Sequence, residues 1–464
     1  MRERERIAAV VAPATVFLVG AVTPRSRAAR IATNAAIAGS FCGALAVALA
    51  SRRIAPRQGR QSGGNAPVAN LHVLVPARDE AAVIADLIDD LGRQEVRDRS
   101  AAPGFALTVI DDRSTDGTGD IATAAFAASG LQDVATCLRR NAGPDGKGAA
   151  LASVTLDHLA DEAIVVVLDA DARLAPDVLA ALAHAIADDA PAITARRRVL
   201  APADGRRAWL ARWQDDEQTV DGAIQHGRLA LGGTGELRGN GMAVRAGLLR
   251  SIGGWDPAAL TEDLEATTRL VSATGTGVRW SPEVEVWEQP VLDVRGLLRQ
   301  RVRWAEGAVR RDLRITWPAV FTGPLPDRLR LDLAAYAAQM LVPWLALGLL
   351  ARSNRPAARK RLVALGSVYA VGGAVMATTA LGRLDRRFVG VIAMGAIWPV
   401  VVPIAWIRVA LSRGPLHFAK TTHGSGFSRP TPHGDPAAVA LPPPQASDRS
   451  RATTRPDGAG AARW

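Results

Sequence analysis

Two pairs of carboxylates stand directly behind apolar stretches of this chain, in positions well suited to carry chemistry. Asp111 and Asp112 follow one stretch, and Asp169 and Asp171 follow another, which consists of Ile, Val and Leu alone. Clustered carboxylates repel one another, so they stay ionised together only where a cation or several hydrogen-bond donors neutralise them. Such hard oxygen ligands suit Mg²⁺ or Mn²⁺, which typically bind one or two carboxylates and the phosphates of a substrate.

Aspartate also ends strands and opens turns without any catalytic role, as the ThrAspGlyThr run at 115–118 does. For a single Asp-x-Asp, that interpretation is the better one. Two acidic groups behind two separate apolar stretches favour a site for a diphosphate and a metal ion instead.

A third acidic group, Thr261-Glu262-Asp263, precedes LeuGluAlaThrThrArgLeu, a run that predicts a helix. In one interpretation Thr261 caps this helix, and the acidic residues of its first turn stabilise the helix dipole. In the other, a carboxylate at the helix start faces the same cleft as the aspartates and acts as a general base. The residues alone leave both interpretations open.

Arginines alternate with apolar residues between residues 293 and 314, where the chain contains Gln300, Arg303 and Trp304. This pattern is typical of a basic amphipathic helix that lies on a membrane surface. A more specific interpretation adds that Arg303 and Trp304 contact the diphosphate and the acceptor of a transfer reaction.

The elements that must position these residues are those of a soluble α/β domain between about residues 66 and 292. Strands are predicted at 71–75, 107–110 and 164–168, with a helical pattern of apolar residues after the first. Strands and helices alternate, which predicts a mostly parallel sheet with right-handed crossovers. Ligands bind outside the carboxyl ends of the strands in such sheets, where both pairs of aspartates fall.

Apolar, nearly charge-free segments flank this domain on both sides and have about the length that crosses a membrane. They are 7–22, 31–50, 331–350, 362–381 and 388–411. The first two favour a retained hairpin over a secretory signal peptide at 1–21. Arginine clusters occur in successive loops, so the positive-inside rule leaves the number and parity of the crossings open. After about residue 424, a composition rich in Gly, Ser, Pro and Arg predicts a disordered tail.

Length and composition exclude several other classes of protein. A chain of 464 residues is too long for one compact domain, and 48% hydrophobic with 22% charged residues excludes wholesale disorder, collagen-like repeats and a coiled coil. Only two cysteines occur, Cys42 and Cys137, which excludes a disulfide framework and a cysteine-based zinc site. So few cysteines predict that the part of the chain that carries the candidate site lies in a reducing compartment.

Four motifs occur in order between the membrane segments: DDRSTDGT at 111–118, DAD at 169–171, TED at 261–263 and QRVRW at 300–304. Together they resemble the membrane-bound family 2 glycosyltransferases, which include cellulose, chitin and hyaluronan synthases and many bacterial lipid glycosyltransferases. VPARDE, NAGPDGKGAAL and GELRGNGMAVR extend the resemblance to about residues 70–310. The last of these is especially similar to a subgroup that includes cyanobacterial diacylglycerol glucosyltransferases.

The resemblance implies an α/β GT-A domain flanked by transmembrane α-helices, which uses Mg²⁺ or Mn²⁺ and a nucleotide diphosphate sugar. The expected organisation is a transmembrane hairpin (1–53), the GT-A domain (54–292), amphipathic interface helices (293–330), C-terminal transmembrane helices (331–412) and the tail (413–464). A cell-membrane location with a cytoplasmic catalytic domain follows, since charged sugar nucleotides do not cross a bilayer unaided.

Carried over residue by residue, the resemblance implies a role for each motif. Asp111 or Asp112 binds the base or ribose of the donor, Asp169 and Asp171 the ribose and the metal, and Lys147 lies on the donor side. Asp263 is the catalytic base, and the diphosphate and the acceptor meet Glu262, Gln300, Arg303 and Trp304. Lys147 is not a P-loop lysine, because GlyProAspGlyLysGly lacks the spacing and the Ser or Thr of such a loop.

The predicted function is an inverting transfer of a sugar to a membrane lipid. The metal and Arg303 stabilise the departing diphosphate, and Asp263 takes the proton of the attacking hydroxyl. A processive polysaccharide synthase is the alternative within the enzyme class, and a catalytically inactive relative is a third possibility.

A membrane-anchored protein that binds anionic polymers or lipids without catalysis is the alternative outside the enzyme class, motivated by the net charge of +11. Membrane anchoring explains much of that charge, which lies beside the apolar segments. Two tyrosines and eight phenylalanines also leave little for base stacking, so no nucleic-acid partner is expected.

Overall fold

The computed structural model describes residues 3–52, 70–96, 103–187, 190–381, 387–412, 424 and 427. Apart from residues 424 and 427, the predicted tail at 413–464 lies outside the described residues, as does the start of the predicted GT-A domain at 54–69.

The α-helices within these ranges are numbered in chain order. They are α1 (Glu3–Val22), α2 (Arg27–Ser51), α3 (Ile84–Gly92), α4 (Thr118–Ala128), α5 (Lys147–Ala152), α6 (Val178–Ala187), α7 (Ala208–Ala230), α8 (Ala246–Ser251), α9 (Glu262–Thr274), α10 (Val294–Arg311), α11 (Trp317–Thr322), α12 (Asp327–Ala338), α13 (Val342–Leu350), α14 (Pro356–Leu381), α15 (Arg387–Gly395) and α16 (Trp398–Leu411). A π-helical turn at Asp312–Thr316 joins α10 to α11, and a 3₁₀ turn at Gln339–Leu341 joins α12 to α13.

An eight-stranded sheet forms the centre of the domain, in the order β3-β2-β1-β4-β7-β6-β8-β5. Its strands are β1 (Leu71–Ala77), β2 (Phe105–Asp112), β3 (Ala135–Arg140), β4 (Ile164–Val167), β5 (Arg173–Leu174), β6 (Ala192–Val199), β7 (Met242–Arg245) and β8 (Arg279–Glu288). The strands predicted from sequence are β1, β2 and β4, and the first two extend slightly further than predicted.

The sheet is mixed rather than mostly parallel as predicted. Strands β3, β2, β1 and β4 are parallel neighbours, but β7 runs antiparallel to both β4 and β6. The prediction was correct for the half of the sheet where strands and helices alternate. Beyond β4 it was wrong for β7 and β5, which run antiparallel to their neighbours, whereas β6 and β8 are parallel to each other. Strand β7 follows the loop of the GELRGNG motif rather than a crossover helix.

Both faces of the sheet are covered, which explains why its central strands are apolar throughout. Val73 and Val75 belong to the core on one face, whereas Leu74, between them, belongs to the core on the other. Val166 and Val167 of β4 divide in the same way. Successive side chains of a strand point to opposite faces, so a strand that is buried on both faces needs an uninterrupted apolar run.

Within the part of the chain that the structure describes, five apolar stretches of helix are long enough to cross a membrane, in the places predicted from sequence: Glu3–Val22, Arg27–Ser51, Asp327–Leu350, Pro356–Leu381 and Arg387–Leu411. Many of their large apolar side chains are exposed, among them Ile7, Ile31 and Val363. Exposed apolar side chains in this number are typical of helices that face lipid. The last stretch consists of two helices, α15 and α16.

Small residues allow α1 and α13 to approach closely. A Cβ atom on Gly20 would lie 2.7 Å from the carbonyl oxygen of Leu345, and one on Gly348 would lie 2.1 Å from that of Phe17. Close contact at glycine is a common basis of helix association in membranes. The N-terminal and C-terminal apolar helices therefore form one bundle.

Candidate active site

The loops that follow β1 and β2 hold each other in place at the edge of the sheet. The N–H of Asp79 donates to Ser114 Oγ at 2.9 Å, and the N–H of Thr115 donates to Asp79 Oδ1 at 2.7 Å. Asp79 and Arg113 have positive φ angles of 51° and 61°, a conformation that non-glycine residues rarely adopt. The strained backbone persists because the contacts between the loops fix it.

Asp111 and Asp112 are buried at the end of β2 and contact protein groups. Asp111 Oδ1 accepts from the N–H of Ser114 at 3.2 Å. Asp112 Oδ1 lies 2.8 Å from both Arg113 Nε and Arg140 Nη1. Two guanidinium groups therefore compensate the negative charge of Asp112 in its buried position.

Asp169 and Lys147 meet beyond the end of β4. The Lys147 ammonium pairs with Asp169, donates to the carbonyl oxygen of Gly239 at 2.5 Å, and lies 3.5 Å from Glu262 Oε1. Burial alone would lower the pKa of this ammonium, but Asp169 and Glu262 together raise it. Lys147 is therefore a permanent cation that joins the donor-side carboxylate to the acidic group of the TED motif.

Asp171 is buried, and its Oδ2 accepts from the N–H of Gln289 at 2.9 Å. Negative charge accumulates around it. Burial raises the pKa of the nearby Glu288 carboxyl, Arg197 opposes the rise, and Asp171 and Asp169 add to it.

These carboxylates suit a divalent cation that is bound together with a diphosphate. Within the described ranges, no group of three or more His, Cys, Asp or Glu residues could hold a metal ion by itself. Mg²⁺ and Mn²⁺ sites on nucleotide substrates commonly have one or two carboxylates, and phosphate oxygens and water complete the coordination. The carboxylates of Asp169 and Asp171 fit such a shared ion, because each can supply one oxygen ligand.

Asp263 lies at the start of α9 with its carboxylate fixed by the main chain. Its Oδ2 accepts from the N–H of Gly239 and its Oδ1 from the N–H of Leu264, both at 2.8 Å. Thr261 occupies the N-cap position of α9, but its hydroxyl makes no capping hydrogen bond. Of the two interpretations of this motif, side-chain capping by Thr261 is wrong.

Glu262 is buried beside Asp263. Burial raises the pKa of its carboxyl to about 7, Lys147 opposes this rise, and Asp263 adds to it. The carboxyl therefore changes protonation state near neutral pH, next to the predicted base.

The loop from Thr234 to Gly239 connects α9, which carries Asp263, to three other elements, α7, α12 and β6. Its main-chain N–H groups donate to side chains: Thr234 to Asp332, Glu236 to Gln225, Leu237 to Thr267, Arg238 to Thr194 and Gly239 to Asp263. A Cβ atom on Gly239 would lie 3.0 Å from Lys147 Nζ, so the position favours glycine. The GELRGNG motif contained this signal, although no site residue was assigned to it from sequence.

Two arginines of the QRVRW motif have different environments. Arg301 is buried and pairs with Glu217, and its Cζ lies 4.2 Å from the centre of the Trp304 ring. Gln300 also accepts a hydrogen bond from Arg301. These contacts hold Gln300 and Trp304 on α10.

Arg303, by contrast, makes no hydrogen bond or ion pair with any residue that the structure describes. Burial lowers the pKa of its guanidinium, while Glu262, Asp263 and Asp169 act in the opposite direction. It therefore faces these carboxylates without being bound to one of them. We call Lys147, Asp169, Glu262, Asp263 and Arg303 the reaction cluster.

The profile of glycosyl transferase family group 2 matches residues 164–406, and that of glycosyl transferase family 2 matches residues 72–248. The first match covers slightly more than half of the chain. The chain belongs to glycosyltransferase family 2.

Curated relatives and a solved structure agree with this assignment. The chain is 31% identical over 383 residues to the beta-monoglucosyldiacylglycerol synthase of Synechocystis sp., covering 77% of this chain and 76% of the relative. It is 34% identical over 272 residues to the enzyme of that name from Nostoc sp., covering 58% and 55%. A mannosyltransferase from Pyrobaculum calidifontis, solved with GDP-Man and Mn²⁺, superimposes with a TM-score of 0.54 at 22% identity, covering 84% of this chain and 99% of that one. The domain of this glycosyltransferase has the GT-A fold, as predicted.

A second group of buried charges lies next to the reaction cluster and was not recognised from sequence. Glu236 pairs with Arg311 at 2.7 Å and with Arg238 at 2.8 Å. Burial alone would raise the pKa of Glu236, but these two arginines hold it at about 2. Arg238 also pairs with Asp221, and Arg311 with Asp312. We call these five residues the ion-pair network; they join α7, the loop before β7 and the end of α10.

Proposed function

We propose that this glycosyltransferase moves a sugar from a nucleotide diphosphate sugar to a hydroxyl group of a membrane lipid, with inversion at the anomeric carbon. The observation that carries the proposal is the fixed Asp263 carboxylate beside the Arg303 guanidinium, which has no ion-pair partner among the described residues. A base and a diphosphate-binding cation are the two groups that a single displacement requires.

Asp263 takes the proton of the acceptor hydroxyl while that oxygen attacks the anomeric carbon. The bond from this carbon to the diphosphate breaks on the opposite face, so one displacement inverts the configuration. Two main-chain N–H groups orient the base, which favours one direction of approach for the acceptor. Glu262 lies next to the base and keeps the local charge negative when it is ionised.

The donor lies along the edge of the sheet. Asp111 or Asp112 binds its base or ribose, with Lys147 on the same side. Asp169 and Asp171 would hold Mg²⁺ or Mn²⁺, which would neutralise the charge of the diphosphate. Arg303 binds the diphosphate from the α10 side, since its guanidinium faces the cleft with no ion pair to a described residue.

Two observations support a lipid acceptor. Two of the curated relatives are called beta-monoglucosyldiacylglycerol synthases. Apolar helices adjoin α10, which carries Gln300 and Trp304, so an acceptor at membrane level reaches the same side of the domain as Asp263. The enzyme is then a multi-pass protein of the cell membrane with its catalytic domain in the cytoplasm, where the donors are made.

The chemical class of the labelled product, lipid or polymer, tests this proposal. Membranes that contain the enzyme are incubated with labelled UDP- or GDP-sugars and Mn²⁺, and the label is partitioned between organic solvent, precipitable polymer and water. We expect the label in the organic phase. Label in the polymer indicates a polysaccharide synthase instead, and no incorporation from any donor contradicts the enzymatic proposal.

A matched pair of variants controls this assay. Asp263→Asn removes the base, and Asp161→Asn removes an exposed carboxylate that pairs with Arg250 far from the cleft. Incorporation is expected to be lost in the first variant and kept in the second.

A further inference from the structure

The fifth apolar stretch, Arg387–Leu411, is attached to the catalytic domain at its start, its middle and its end. Three polar contacts make the attachment. They are Arg387 with Asp216, the Trp398 indole N–H with Glu217 at 3.1 Å, and Arg408 with Glu306 at 3.0 Å. The three acidic partners belong to α7 and α10 of the domain.

Apolar contacts fill the intervals between these polar ones. Met394 of α15 is buried with Leu210 of α7 and Leu297 of α10. Further along, Val402 and Ala405 of α16 are buried in a cluster that contains residues of α10. The whole stretch therefore lies along two helices of the catalytic domain.

The partner helices are too polar to lie within the hydrocarbon core of a membrane. Helix α7 contains three consecutive acidic residues at 215–217, and α10 contains six arginines. Charged side chains at the centre of a bilayer are costly, and α7 and α10 carry several that are paired with other residues of the protein, among them Arg301 with Glu217 and Arg311 with Glu236. A stretch that packs against these two helices from its first residue to its last therefore lies at the same depth as they do, outside the hydrocarbon core.

A crossing helix has a different geometry. It must carry the chain through about 30 Å of hydrocarbon, so only one of its ends can remain at a domain on one side of the membrane. Arg387 and Arg408 both remain there. Gly424 is also at the domain, since it exchanges two hydrogen bonds with the side chain of Gln289, the residue whose N–H donates to Asp171.

We propose that Arg387–Leu411 does not cross the membrane and that α15 and α16 lie in the plane of its cytoplasmic surface. The partner that covers their exposed apolar face is one leaflet of the lipid bilayer. Val400, Ile404, Ile407 and Leu411 are exposed, and their spacing places them on one face of α16. Amphipathic helices of this kind seat their apolar face at the boundary between headgroups and acyl chains.

The contacts of α16 with the membrane bundle support the assignment of lipid as the partner of its apolar face. On its buried side, α16 contacts α1 through Ala9, and the Trp406 indole N–H donates to the carbonyl oxygen of Met340 at 2.9 Å. The apolar face of α16 therefore continues the lipid-facing surface of the bundle. The described part of the chain then crosses the membrane four times, and both of its ends are on the side of the catalytic domain.

This arrangement rests on the membrane attachment proposed above but not on the reaction. It settles the parity that the arginine clusters left open. It also places α10, with Gln300 and Trp304, directly against the leaflet that would supply a lipid acceptor.

Cysteine accessibility in the full chain tests the arrangement. In a background with Cys42→Ala and Cys137→Ala, single cysteines are introduced as Gln132→Cys in the catalytic domain, Asn354→Cys between α13 and α14, and Ser412→Cys after α16. A membrane-impermeant maleimide is applied to right-side-out and inverted vesicles. We expect the cysteine at position 412 to be labelled in the same vesicles as that at 132, and that at 354 in the opposite ones.

Labelling of position 412 together with position 354 would overturn the proposal, because the fifth stretch would then cross. Extraction of the protein from membranes at alkaline pH would also overturn it, since no part of the chain would then be integrated. A loss of sugar transfer would change neither the labelling nor the extraction result. The proposed topology and the proposed reaction are therefore tested independently.

Discussion

The reaction cluster and the ion-pair network are two neighbouring groups of charges that differ in how far the protein neutralises them. In the network, Glu236 accepts from two arginines at 2.7 and 2.8 Å, and each arginine has a second acidic partner. In the cluster, Arg303 has no ion pair with a described residue, and Glu262 is 3.5 Å from its nearest cation, Lys147. We therefore expect the ion-pair network to stabilise the fold and the reaction cluster to act on the substrate.

The largest expected effect is on stability, from Glu236→Gln. The folded-state pKa of about 2, against 4.5 for an ordinary glutamate, corresponds to about 3 kcal/mol of stability at neutral pH. Because the folded pKa is depressed, this stability is fully present above pH 4.5 and is lost as pH falls toward 2. Thermal unfolding in detergent micelles measures it, with the exposed Glu283→Gln as control. Equal transition midpoints for both variants would contradict the role of the network.

Arg303→Gln and Arg301→Gln compare two arginines of one motif. We expect Arg303→Gln to lower the transfer rate by about 10²-fold with unchanged stability, because a cation that contacts the diphosphate is lost. Arg301→Gln leaves Glu217 without its guanidinium partner and is expected to destabilise the fold by about 3 kcal/mol. Rate assays and thermal unfolding of both variants check this. The comparison fails if the two variants lose stability equally.

Asp171→Asn tests the part of the comparison that concerns the predicted metal site. The variant is expected to need about tenfold more Mn²⁺ for half-maximal transfer, since a carboxylate ligand is replaced by a weaker amide. A Mn²⁺ titration of the transfer rate measures this, with the exposed Asp177→Asn as control. An unchanged Mn²⁺ requirement would remove Asp171 from the predicted metal site.

The smallest expected effect concerns pH. Burial raises the pKa of Glu262 to about 7, so this group ionises as pH rises through neutrality. A negative charge on Glu262 favours the movement of a proton from the acceptor into this part of the site, and transfer is expected to increase a few-fold between about pH 6 and 8. The pH profile of Glu262→Gln should lack this rise. The same inflection in both profiles would assign it to another group.

Features encoded in consecutive residues could be predicted from the sequence. The apolar run at 164–168 and the aspartates behind it gave a buried strand with carboxylates at its end, and the apolar segments gave five candidate helices in the right places. The GT-A fold, flanked by these helices, is confirmed. The assigned roles of the site residues and the domain boundaries stay predictions.

Contacts between distant residues could not be predicted from local patterns. Arg301 and Glu217 are 84 positions apart, so their ion pair could not be expected from the motif that singled out Arg303. The antiparallel β7 and the attachment of Arg387–Leu411 to the domain likewise depend on pairings far along the chain. Apolarity and length indicate that a helix meets lipid, but its tertiary contacts decide whether it crosses.

Transfer by Asp263→Asn tests the central claim most directly. Donor binding and the rate of incorporation are measured in the same membranes for this variant, for Asp161→Asn and for the wild type. The account predicts unchanged donor binding and a loss of transfer of about 10³-fold in Asp263→Asn alone, which is the scale of a general base. Wild-type transfer by an Asp263→Asn variant that still binds the donor would contradict the account.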